Sequence, residues 1–153
     1  MPVDREEQLA RVTSELEALE AHLPEYEDAL ARLERDRLGR LVVQHAGRRD
    51  DALEFAGQLE QRLGATAADT PEYARYQGEL EKQRALVDQH AEAVREALTA
   101  GGFASESEAR AARLPTSEAE QLKSRADLFA TRYNATLQRY LDLGGAVDEA
   151  DGE

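Results

Sequence analysis

The stretch Gly64-Ala65-Thr66-Ala67-Ala68-Asp69-Thr70-Pro71 decides how this chain is organised. Glycine stops a helix, Thr70 offers an N-cap hydroxyl, and Pro71 suits the first helical position, where its missing N–H costs nothing. The stretch therefore reads as a turn between two helices. The parts before and after it are similar in length. The simplest architecture is all-α: a long antiparallel helical hairpin or coiled coil, with a short helical interruption near residues 101–116.

Outward on the C-terminal side, Tyr73, Tyr76, Leu80, Gln83, Val87, His90, Val94 and Ala97 alternate steps of 3 and 4. That spacing keeps one stripe of a helix facing a partner helix. The pattern ends at Ala100-Gly101-Gly102. Ser105 with Glu108 predicts a capping box for a short helix over 105–113, and Leu114-Pro115 breaks it. Ser117 with Glu120 predicts a second box, opening a helix that carries Leu122, Ala126, Phe129, Tyr133, Thr136, Tyr140 and Leu143. Residues 71–143 are thus a returning arm of two long helices, and 144–153 read as a flexible acidic tail.

On the N-terminal side, Leu9, Val12, Leu16, Leu19, Leu23, Tyr26, Leu30 and Leu33 step by 3 and 4 across Pro24. The unbroken register predicts one helix over 1–63, kinked near Pro24, rather than a new helix opening there. After Leu33 the apolar set shifts to Leu38, Leu41 and Val42. Gly39, Gly47 and Gly57 weaken this helix by about 1 kcal/mol each relative to Ala. Gly57 and Gly78 lie equidistant from the turn, so they either face one another in a close approach or are two independent tolerated glycines.

The composition agrees with helices that pair along a narrow seam. Charged residues make up 33% of the 153-residue chain and aromatics 5%, too few large apolar side chains for a broad globular core. The net charge of −13 disfavours direct nucleic-acid binding, which needs a basic surface. It also disfavours an anionic membrane. The longest aliphatic run, Leu41-Val42-Val43, is far short of the roughly 20 residues of a membrane span. No signal peptide is visible and there is no Cys, which together lead us to expect a cytoplasmic chain without disulfides.

Catalytic signatures are wanting. No phosphate-binding glycine loop stands between a strand and a helix. The three histidines lack the Glu-x-x-His and His-Glu-x-x-His spacings of helical metal sites, and no carboxylate pair is singled out for acid–base work. We therefore expect no enzyme activity, no cofactor, no metal and no small-molecule ligand. The candidate interaction residues are the seam and aromatic positions Tyr73, Tyr76, Leu80, Val87, His90, Val94, Phe129, Tyr133 and Tyr140. They serve either as internal packing or as anchors for a protein partner or a second copy. His90 either makes helix pairing sensitive to pH or reaches water from the seam edge, and Gln83 is a polar seam residue able to fix register.

The segment from Gly101 to Leu114 carries a recognisable pattern. With the helix that follows, it resembles the coiled-coil arm of SbcC-type SMC-like proteins, DNA-repair ATPase subunits in which a "G-F-x-S-x-x-E-A-x-x-A-x-L" insertion interrupts a long helix before the coil resumes. Gly102, Phe103, Ser105, Glu108, Ala109, Ala112 and Leu114 match. The resemblance implies an arm segment that links ATPase heads to a distal dimerisation element. The phosphate loop, signature motif and hook cysteines of that family are missing from this sequence, so none of its functional residues carries over.

Overall fold

The computed structural model describes residues 4–144. All regular structure in them is helical: α1 (Arg5–Glu20), α2 (Leu23–Gly64), α3 (Pro71–Gly101), α4 (Glu106–Ala111) and α5 (Thr116–Asp142). The expected acidic tail, but for Gly144, lies outside the described residues. None of these helices is long and apolar enough to cross a membrane. The chain divides into two compact units, one of Met1–Leu33 with Leu114–Glu153 and one of Glu34–Arg113.

In the first unit α1 and the opening turns of α2 pair with α5. Val12, Leu16, Ala29, Ala126 and Thr136 are buried between them. α1 is capped by the Asp4 carboxylate, which accepts from the Glu6 N–H. It ends at Glu20, and α2 begins at Leu23 after the turn Ala21-His22. The single kinked helix expected from the register is therefore two helices. Pro24 stands in the first turn of the second, where its lack of an N–H leaves no hydrogen bond unmade. Leu30, expected on the seam, is 43% exposed, and Ala29 is buried in its place. Both steps suit 3.6 residues per turn. Ala29 lines the same groove as Tyr26 and Phe129, whose rings already fill that part of the seam at 4.9 Å.

At the far end of this unit the Arg5 guanidinium donates two hydrogen bonds to the Leu143 carbonyl, at 2.8 and 3.0 Å. A cation thus sits on the carbonyl end of α5, where the helix dipole favours it. Gly144 stops α5 with a positive φ of 89°. α5 starts at Thr116 with no side-chain cap. The capping box expected at Ser117 and Glu120 does not form. Pro115 already supplies the first intrahelical carbonyl, to the Ala119 N–H, and Ser117 lies inside the helix.

In the second unit the C-terminal part of α2 runs antiparallel to α3 through the turn at residues 65–70. The turn forms as its residues suggest. The Thr66 hydroxyl donates to the Arg62 carbonyl, and Thr70 caps α3 by accepting from the Tyr73 N–H at 3.2 Å. Two apolar clusters fill the seam. Ala56, Leu59 and Leu80, with Leu63 and Tyr76, lie nearer the turn, and Leu38, Val42, Ala46, Val94, Ala97, Phe103 and Ala109 lie further from it. The shift of the apolar set to Leu38, Leu41 and Val42 is seen as expected. Gly57 and Gly78 do not make a close approach: a Cβ on either would meet nothing within 4 Å. They are independent glycines.

Candidate functional site

Among the candidate residues, Tyr73, Tyr76, Leu80, Val87, His90 and Val94 all lie in the second unit on the stripe of α3 that faces α2, with Gln83 among them. Leu80 and Val94 are buried and the others half-buried. Tyr76 packs on the cluster nearer the turn, with the Arg62 guanidinium 6.0 Å from its ring centre. Arg84 and Glu60 pair at 3.0 Å between the two helices, on the flank of the seam. Tyr76 thus serves as packing in this unit, while Tyr73 stands half-buried at the start of α3.

His90 meets a residue that sequence reasoning left unassigned. Its Nδ1 lies 3.0 Å from the Nδ1 of His45 on α2, and the ring centres are 5.2 Å apart. Both rings are half-buried. His90 therefore does not simply reach out to water. One imidazole donates to the other across the seam.

The interruption of the coil is docked on the second unit by nearly every residue of its motif. Gly102 adopts φ 65°, and the N–H groups of Gly102 and Phe103 donate to the Thr99 and Leu98 carbonyls at 3.2 and 2.9 Å. This Schellman arrangement consumes the last carbonyls of α3 and turns Phe103 back onto Leu98 and the core. Phe103 is 7% exposed, with the Arg35 guanidinium 4.8 Å from its ring centre. The Ser105 hydroxyl caps α4 by accepting from the Glu108 N–H, and the Glu108 carboxylate accepts from the Ala104 N–H. The expected capping box is thus present, displaced by one residue at its carboxylate end. Ala109 is fully buried against α2 at Gly39, where any Cβ would collide with the Ala109 carbonyl oxygen. Ala112 packs at the edge of the cluster.

Electrostatics hold the other side of α4. Arg49 on α2 donates to both carboxylate oxygens of Glu106, at 2.9 and 3.1 Å. These hydrogen bonds hold the Glu106 carboxyl below the usual carboxylate range, against a smaller opposing effect of burial. They also raise the Arg49 guanidinium further above its ordinary value. Asp36, one turn beyond Leu33, is buried, and Arg40 donates to both of its oxygens at 3.0 and 3.1 Å. Sequence reading gives Asp36 no role and marks Gly39 only as a weak point of the helix, because single charges and glycines in a long helix usually face water.

The remaining candidates, Phe129, Tyr133 and Tyr140, belong to the first unit and lie on the seam stripe of α5. Phe129 joins Tyr26 to Tyr133, whose ring stacks on it at 6.0 Å. Beside them an open groove carries Arg125 and Arg132 over a floor that includes Leu19, Leu122 and Ala126. Among the described residues no group of three or more His, Cys, Asp or Glu side chains is placed to hold a metal.

Fold and seam together define antiparallel helical pairs closed on themselves, one of them braced by a short docked helix. No family model, curated protein or solved structure matches the chain.

Proposed function

We propose that this chain is a non-catalytic coiled-coil element, similar to an arm segment of the SbcC-type SMC-like DNA-repair ATPases, acting in the cytoplasm through contacts with proteins. The observation that supports this reading is the use made of the motif. Gly102, Phe103, Ser105, Glu108, Ala109 and Ala112 each have a task in docking α4 beside a helical pair, after which the coil resumes in α5. A device that interrupts a coil while keeping its helices packed suits an arm that must transmit position rather than perform chemistry.

The test is association of the purified chain with an SMC-like ATPase and its nuclease partner from the same cell. The expected result is a stoichiometric complex, weakened by Phe103→Ala with helicity retained. No association with either component would overturn the arm reading. Stoichiometric nucleotide or metal in the purified protein would overturn the non-catalytic one.

A second reading, a stand-alone helical adaptor or regulator, draws on the closure of the seams. The apolar stripes of α3 and α5 are used within their own units, as a self-contained protein requires. A stable monomer that forms its complex with an unrelated protein, and none with an SMC-like ATPase, would favour it.

A further inference from the structure

The pair of histidines across the second unit's seam is the feature that neither packing nor the proposed function uses. We propose that His45 and His90 form a proton-sensitive clasp, which holds α2 against α3 while the two rings share one proton between them and loosens when both rings are charged.

The geometry sets the rule. With the two Nδ1 atoms 3.0 Å apart, one must donate and the other accept. A first added proton leaves a donor facing an acceptor and makes the bond charge-assisted. A second proton turns the acceptor into a donor, so two N–H groups and two positive rings confront each other 5.2 Å apart.

Among the described residues neither ring is paired with a carboxylate. One turn to either side of His90 on α3 stand Leu86, Val87, Ala93 and Val94. One turn to either side of His45 on α2 stand Leu41, Val42, Arg48 and Arg49. Arg49 is held by Glu106 of α4 and by Asp50. The other charges α4 presents are Glu108, which accepts from the Ala104 N–H and lies 3.8 Å from Arg35, and Arg110. Asp88 and Glu92, two residues from His90, project about 200° away around α3 and are exposed, and Glu92 pairs with Arg95. The clasp thus lies among apolar side chains, and the nearest carboxylates of α4 and α2 are already engaged by arginines.

Linkage gives the direction. In the unfolded chain each ring takes its proton independently, over the range near pH 6.5 where imidazole titrates. The closed seam resists the second proton, so the unfolded state binds more protons as the pH falls, and stability is lost on the acid side of neutrality.

The test is paired. Imidazole resonances of the full chain, followed by NMR against pH, are expected to show His45 and His90 titrating as a coupled pair in two separated steps. His22, exposed in the other unit beside Glu25, provides the reference resonance. Between about pH 7.5 and 5.5 the unfolding constant of the wild type is expected to rise on the order of tenfold more than that of His45→Gln/His90→Gln. Equal pH dependence in the two proteins, or independent single-step titration of both rings, would overturn the proposal. If the double variant fails to fold, the wild-type titration decides alone.

Discussion

Glycine has opposite meanings at different positions of one helix pair. At Gly39 the missing Cβ is what lets the Ala109 backbone lie against α2. Gly39→Ala should therefore cost about 1–3 kcal/mol through overpacking, as read by urea denaturation. At Gly57 and Gly78 a methyl group meets nothing, so Gly57→Ala and Gly78→Ala should each stabilise by about 0.5–1 kcal/mol in the same assay. Phe103 is the largest buried side chain of the interruption, and Phe103→Ala should cost about 3 kcal/mol. At this scale the sequence was informative about stripes and silent about pairs. Every predicted seam residue of α3 is at least half-buried, because a 3-and-4 rhythm depends only on neighbours within one helix. That His90 would meet His45, or that Gly39 would receive Ala109, depends on the register between helices, which periodicity within a single helix does not encode.

Short α4 is an element that cannot stand alone. Six residues are too few to form a stable helix in water, so it exists because Phe103, Ala109 and the Arg49–Glu106 pair fasten it. Its cap and its Schellman glycine were legible, since both are signals of local sequence. The missing cap of α5 and the break between α1 and α2 were not legible: Ser117 with Glu120 mimics a box, and an unbroken register hides a two-residue turn. Because Arg49 holds the Glu106 carboxyl below its ordinary range, that contribution is fully present above about pH 4.5 and is lost as the pH falls through the lowered value. Hydrogen exchange of residues 104–112 should therefore quicken in acid ahead of the α2–α3 seam nearer the turn. Glu106→Gln should remove this early step and cost less than about 1 kcal/mol at neutral pH, because the pair is partly exposed and screened. Identical exchange in wild type and variant across the acid range would show that the pair does not fasten α4.

For the molecule as a whole, the state of association follows from where the apolar stripes are satisfied. A net charge of −13 leaves little for phosphate to bind, so retention on duplex DNA at physiological salt is expected to be undetectable, as measured by electrophoretic mobility. Each unit closes its own seam, the first between α1–α2 and α5 and the second between α2 and α3. A seam that is already closed needs no second chain. The mass in solution, by sedimentation equilibrium across a concentration series, tests this most directly. The expected result is 17.0 kDa at every concentration. A mass that climbs towards the dimer as the protein is concentrated would contradict the account, because the stripes of α3 and α5 would then be completed by another copy.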